Sequence, residues 1–138
     1  MKKVHTNTAE KTREFAEEYA SIFKNGGILA LSGDLGAGKT TFAQGFARGL
    51  GIDDRIVSPT FLIIRQYPIP NQKNFFYHID LYRMENIDIK NSGLEEIISE
   101  PGNVVLIEWA EKISEYLPEN TNIITLKKSN DYHEIEIV

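Results

Sequence analysis

Three observations predict an α/β fold of three layers, built on a mixed sheet with a parallel core and antiparallel hairpin additions. Two short apolar runs, ILALS at residues 28–32 and VVLI at 104–107, are suited to strands buried on both faces. Segments of helical periodicity flank them. Two β-rich runs, FLIIRQY at 61–67 and NFFYHIDLY at 74–82, are separated by PIPNQKN. That link is too short for a parallel crossover, so the pair reads as an antiparallel hairpin. At 138 residues the chain is expected to form one domain, residues 1–138, large enough to bury a core.

Residues 8–23 read as a helix: Phe15, Tyr19, Ile22 and Phe23 recur at helical spacing, and Asn25-Gly26-Gly27 stops it. The strand at 28–32 follows. Residues 39–50 form a second helix with Phe42, Phe46 and Leu50 on one side, ending at Gly51. After the hairpin, residues 94–99 read as a short helix closed by Pro101-Gly102. The strand at 104–107 comes next, then a helix at 111–117. The tail, NIITLKK and HEIEIV, reads as two more strands forming an edge hairpin.

Composition narrows the function. The chain is 41% hydrophobic and 25% charged, ordinary for a soluble globular protein, and no apolar run has the length to cross a bilayer. Two lysines near the N-terminus have no apolar stretch behind them, which does not read as a secretory signal. Cysteine is absent, excluding disulfides and thiolate metal sites. These features point to the cytoplasm. A net charge of -5 argues against a non-specific nucleic-acid surface, since phosphate neutralisation needs clustered Lys and Arg. Any action on nucleic acid would need a partner's contacts.

The stretch Gly33-Asp34-Leu35-Gly36-Ala37-Gly38-Lys39-Thr40 fits G-x-x-x-x-G-K-[ST]. Glycines let the backbone turn through positive φ and approach a ligand without a Cβ in the way. Successive N–H groups then form an anion nest, and the following helix adds unpaired donors and its positive end. Lys39 supplies a point charge to the outer phosphates, and Thr40 a hydroxyl to Mg²⁺. An apolar strand before the loop and an amphipathic helix after it are the context the motif requires. The loop thus predicts a P-loop NTPase-type fold, with Gly33, Asp34, Leu35, Gly36, Ala37, Gly38, Lys39, Thr40 and Thr41 around the phosphates of a nucleoside triphosphate.

Such a loop needs a carboxylate near its Mg²⁺. Glu108 ends VVLIE at the carboxyl end of a parallel strand, where ligands bind in open α/β sheets. It is assigned to the metal, through water. Asp80, in HIDLYR on the hairpin, either contacts the metal or orients the attacking water. Either acid could instead be a solvated carboxylate at a strand end. Ser58-Pro59-Thr60 reads equally as a switch-like loop sensing the terminal phosphate or as a plain turn. His78 reads as a hairpin histidine rather than a general base. Trp109 either shields the site, anchors a partner or simply packs. Arg83 is an electrostatic finger or a salt-bridge partner. His5 and His133 have no metal-ligand spacing and receive no role.

In series, the motifs are Ser32-Gly33-Asp34-Leu35-Gly36-Ala37-Gly38-Lys39-Thr40-Thr41, Val57-Ser58-Pro59-Thr60-Phe61, His78-Ile79-Asp80-Leu81-Tyr82-Arg83, Gly93-Leu94-Glu95-Glu96 and Ile107-Glu108-Trp109. Together they resemble the TsaE family, formerly YjeE, small bacterial ATPases needed for threonylcarbamoyladenosine in tRNA. The resemblance implies a cytoplasmic protein that binds ATP or ADP with Mg²⁺ and associates with TsaB and TsaD. It also implies that TsaD modifies the adenosine beside the anticodon, that ATP hydrolysis resets the complex, and that tRNA is met only through that complex. By position, Thr40 and Glu108 match the family's Mg²⁺ ligands, and Asp80 matches a hairpin aspartate serving hydrolysis. Thr12 matches a threonine that helps form the nucleotide pocket. One departure stands out: the family often carries an arginine in its last strands, where this chain reads SNDYHEIEIV.

Three function classes compete. A partner-dependent ATPase leads. A small-molecule kinase shares the loop, but no arginine-rich lid insertion is present. A nucleotide-sensing module would bind ATP and barely turn it over. A GTPase is disfavoured, because Asn71-Gln72-Lys73-Asn74 lacks the acid and the lysine placement of a guanine reader.

Overall fold

The computed structural model describes residues 2–34, 36–54, 56, 64–85, 89 and 91–138. Seven strands form one sheet: β1 (Lys2–Thr6), β2 (Gly27–Gly33), β3 (Ile64–Pro68), β4 (Phe75–Asp80), β5 (Val104–Glu108), β6 (Asn122–Lys128) and β7 (His133–Ile137). Their spatial order is β1-β7-β6-β2-β5-β4-β3. Strands β6, β2, β5 and β4 run parallel. β3 pairs antiparallel with β4 at one end, and β7 and β1 add antiparallel ladders at the other. This is the mixed α/β sheet expected from the sequence.

The side-chain alternation of the inner strands makes the layers. On β2 and β5, Leu29, Leu31, Val104 and Leu106 face one apolar cluster, while Ala30, Val105 and Ile107 face another. Helices α1 (Ala9–Tyr19) and α2 (Lys39–Gly49) cover the first face. Helix α3 (Leu94–Ser99) and a 3₁₀ helix, Ala110–Tyr116, cover the second through Leu94, Ala110 and Ile113. All five residues of β5 are buried, as a central parallel strand requires.

Helix α1 starts where Thr8 accepts a hydrogen bond from the Lys11 N–H at 3.1 Å, an N-cap contributing about 1 kcal/mol. It continues as a 3₁₀ turn, Ala20–Phe23. On α2, Phe42 and Phe46 are wholly buried, as their spacing predicts, each stabilising the fold by roughly 1.5–3 kcal/mol. The two helices lie close because two glycines of α2 face the backbone of α1: a Cβ on Gly45 would stand 2.2 Å from the Arg13 carbonyl oxygen, and one on Gly49 2.3 Å from that of Glu17.

Three readings need correction. The tail does form an antiparallel hairpin, β6 with β7, but not at the sheet edge: β6 lies beside β2, and β7 lies between β6 and β1. The outer strand is β1, which its composition conceals, since KKVHT has one apolar residue and exposed lysines. Ile22 is 61% exposed rather than part of the helix's apolar stripe, because the chain tightens to 3₁₀ there and rotates it outward. The helix expected at 111–117 is a 3₁₀ helix, Ala110–Tyr116, with a kink at Ile113 and Leu117 extended beyond it. The first residues of the 61–67 run, and the Ser58-Pro59-Thr60 segment, lie outside the described residues.

Candidate functional site

The turn between β2 and α2 is shaped by backbone conformations that suit only glycine. Gly36 has φ +83° and Gly38 φ +99°. Around Gly36 a Cβ would meet nothing within 4 Å, so only the dihedral angle demands glycine there. The Ala37 N–H closes the turn on the Asp34 carbonyl at 3.0 Å, and Ala37 is buried while Asp34 and Gly36 are exposed. Leu35 lies outside the described residues. Gly38 caps α2 without a side-chain hydrogen bond, and no acidic residue occupies the helix's first turn. The first N–H groups of α2 and its positive end are thereby left for an anion. Thr40 and Thr41 stand half-buried in that same turn.

Lys39 is only 7% exposed. Its Nζ donates to the Gly33 carbonyl at 2.6 Å and lies 4.5 Å from the centre of the Trp109 ring. No acid forms an ion pair with it among the described residues. An ammonium has three donors, so two remain for an incoming ligand. Trp109 holds its indole there from a left-handed backbone, φ 61°, a strained conformation for a non-glycine residue. Tyr82 packs against the indole with ring centres 5.0 Å apart. Lys112 ties the same turn down by donating to the carbonyls of Tyr82 and Met84 at 2.6 and 3.0 Å.

The two acids stand side by side at the carboxyl ends of their strands: Asp80 pairs in register with Glu108, and Glu108 with Leu31 of β2. Glu108 is 3% exposed, and its Oε2 lies 2.6 Å from His78 Nε2. Asp80 is half-buried and accepts the Tyr82 N–H at 2.9 Å. Burial pushes its carboxyl above the ordinary aspartate range; the nearby charge of Glu108 adds to this, and the Tyr82 N–H opposes it. Among the described residues no three His, Cys, Asp or Glu side chains form a metal cage. The donor set fits Mg²⁺ nonetheless, because that ion takes one or two carboxylates and completes its shell with phosphate oxygens and water.

Comparisons with known proteins give the family. The profile described as "Threonylcarbamoyl adenosine biosynthesis protein TsaE" matches residues 6–136. This chain belongs to the TsaE family. It is 44% identical over 132 residues to the tRNA threonylcarbamoyladenosine biosynthesis protein TsaE of Bacillus subtilis, covering 94% of this chain and 79% of that one. The TsaE protein of Rickettsia bellii is 39% identical, covering 91% of this chain and 85% of its own. The fold is similar to the crystal structure of YdiB from Bacillus subtilis, with a TM-score of 0.80, 40% identity, and coverage of 99% of this chain and 83% of that one. The family's role is in the biosynthesis of threonylcarbamoyladenosine in tRNA.

Within this TsaE site, Lys39, Trp109, Asp80 and Glu108 come together, and Thr12 takes an indirect place. Thr12 is buried, its hydroxyl 2.7 Å from that of Thr6 at the junction of β1 and α1. Thr6, Thr8, Lys128, Tyr132 and His133 line a groove beside the loop, and the His133 ring would be 3.8 Å from a Cβ on Gly38. The sequence alone gives His133 no role; the β7 ladder carries it to the loop, and no local spacing signals that. Nor does the sequence pair His78 with Glu108, although both fall at the same end of apolar strand runs. Arg83 is exposed and forms no ion pair among the described residues.

Proposed function

We propose that this TsaE-family chain binds ATP or ADP with Mg²⁺ and hydrolyses ATP slowly by itself. In the cytoplasm it would work with TsaB and TsaD in forming threonylcarbamoyladenosine beside the anticodon of tRNA, hydrolysis resetting the complex between rounds. The observation that carries this reading is the buried Lys39 ammonium, without an acidic partner among the described residues, set between a nest of loop amides and two register-paired carboxylates.

The residues divide the work by chemistry. Loop amides, the start of α2 and Lys39 hold the phosphates. The hydroxyl of Thr40 and the carboxylate of Glu108 hold the metal. Bound Mg²⁺ supplies positive charge against the phosphate oxygens. Asp80, whose carboxyl binds a proton more readily than an exposed aspartate, is placed to orient a water and take its proton. The groove by Thr6 and His133 accepts the nucleoside end, and Thr12 sets the Thr6 hydroxyl. Arg13 and Arg48 are engaged with Glu10 and Glu17, whereas Arg83, three residues after Asp80, is exposed without an ion pair among the described residues. An arginine finger in such sites is worth about 10³–10⁵ in rate, so turnover by itself is slow until a partner orders Arg83 or supplies an arginine of its own.

Reconstitution tests the whole reading. Purified chain, TsaB, TsaD, tRNA and an activated threonylcarbamoyl donor should support many rounds of modification with ATP and about one round without hydrolysable nucleotide. ATP turnover should rise when the partners are added. Label from γ-phosphate found on a small acceptor would replace this reading with a kinase. Failure to bind ADP by calorimetry would end it.

A further inference from the structure

His78 is wholly buried in the sheet, beside Phe76 on the same strand, with ring centres 6.4 Å apart. Among the described residues its one hydrogen-bond partner is the Glu108 carboxylate, and its Nδ1 is buried with none. Burying an imidazole and a carboxylate costs several kcal/mol of desolvation, which a single hydrogen bond does not fully offset. A leucine would suit the apolar surroundings better. The pair therefore asks for a reason other than stability, and its geometry supplies one.

We infer that His78 is a positioning residue: it ties down one oxygen of Glu108, so that the other is presented to the divalent cation that accompanies the nucleotide. This rests on the nucleotide site proposed above. An ionised carboxylate only accepts, so the shared hydrogen sits on Nε2 and the bond is charge-assisted. With Oε2 occupied at 2.6 Å, Oε1 is left without a hydrogen bond among the described residues. Without the imidazole, the carboxylate could rotate about its own axis and swing between rotamers, and fixing it would weaken cation binding. Groups that hold a metal-binding carboxylate in this way typically change metal affinity about 10- to 100-fold when removed. On the neighbouring strand, Arg65 is His78's register partner on β3, and its Nε is likewise buried and unpaired among the described residues. The ring thus has a single anchor, and its orientation and that of Glu108 depend on each other.

The test is a Mg²⁺ titration of the ADP complex by calorimetry, followed in parallel by the fluorescence of Trp109, the sole tryptophan. His78→Gln keeps an amide N–H at about the reach of Nε2, His78→Asn stops short, and His78→Leu donates nothing. Half-saturating Mg²⁺ should stay near the wild-type value in His78→Gln and rise about 10- to 100-fold in His78→Asn and His78→Leu. ADP affinity without metal should be unchanged in all three. In a Glu108→Gln background, His78→Leu should shift half-saturating Mg²⁺ no further, because the two residues act as one unit. The inference is overturned if His78→Leu matches wild type, if metal-free affinity falls in step, or if His78→Gln fails as His78→Leu does. Should His78→Leu not fold, the contrast between Gln and Asn decides. A wild-type chain that binds no ADP sinks the nucleotide site as well; a wild type with Mg²⁺-dependent binding that the variants share sinks only the role of His78.

Discussion

Lys39 is the residue on which the site turns. Its two contacts, the Gly33 carbonyl and the Trp109 face, are those of a cation that has partners but no counter-charge among the described residues. Lys39→Met keeps most of the aliphatic stem and removes the charge. ADP affinity by calorimetry should fall about 10- to 100-fold, the worth of one charged hydrogen bond. The fold should hold within about 1 kcal/mol, since the lost bond to Gly33 is offset by no longer burying an ammonium. Unchanged ADP affinity would place the phosphates elsewhere. Asp80 gives a prediction of opposite sign. Its folded-state pKa lies above the ordinary 3.8, through burial first and Glu108 second. The folded protein then binds that proton more tightly than the unfolded chain, so its stability falls as pH rises from below 3.8 through the raised value. Above that window the ionised carboxylate is a standing cost. In metal-free protein, Asp80→Asn should raise the urea midpoint at neutral pH, and the gain should vanish below about pH 3.5. A constant gain at all pH values would mean that the carboxylate is not the cause. The same variant should hydrolyse ATP poorly in the reconstituted complex, a trade of stability against activity.

At the scale of elements, the contact between α1 and α2 depends on what is missing. A Cβ at Gly45 would fall 2.2 Å from the Arg13 carbonyl oxygen and 2.5 Å from Arg13 Cα. Both atoms are helix backbone, and neither can yield as a flexible side chain would. Gly45→Ala gains helix propensity of about 1 kcal/mol but must push α1 off the sheet, costing about 1–3 kcal/mol or more. Net loss of stability in urea unfolding is expected, and a gain would refute the close approach. None of this was legible in the sequence, where Gly45 sits inside a helical pattern with no evident purpose. What was legible were elements whose signals are local. Residues 39–50 carried a 3.6-residue stripe, 104–107 an unbroken apolar run, and 94–99 a short helix closed by Pro101-Gly102. The strand KKVHT carried no such signal: it is an edge strand whose one apolar side chain, Val4, packs only partly against the core. Its pairing is fixed by β7, at the opposite end of the chain.

For the whole molecule, strand order decides both the site and the stability. The glycine turn between β2 and α2 was readable because its residues are contiguous. The links between His78 and Glu108, and between His133 and Gly38, were not, because each depends on which strands become neighbours. The tail is the sharpest case. Read alone, residues 122–138 look like a detachable hairpin; in the fold, β6 pairs with β2 from Leu29↔Asn122 to Gly33↔Leu126. Ile124, Leu126 and Ile135 belong to the same buried cluster as Leu29, Leu31 and the phenylalanines of α2. Ending the chain at residue 121 would open the edge of β2, the strand that carries the glycine loop, and would leave β1 with no ladder. Such a chain should lack a cooperative urea transition and show no rise in melting temperature with ADP. Removing residues 2–6 instead deletes an outer strand and the Thr6–Thr12 hydrogen bond. That chain should still unfold cooperatively, though at lower urea. It should keep an ADP-induced rise in melting temperature, smaller than that of the full chain because Thr6 is lost from the nucleoside groove, since ligand bound by the remaining loop still stabilises the fold by mass action. If the 1–121 chain folds and binds ADP while the chain lacking residues 2–6 does not, then β1 rather than β6 supports the loop-bearing strand, and the order β1-β7-β6-β2 is wrong.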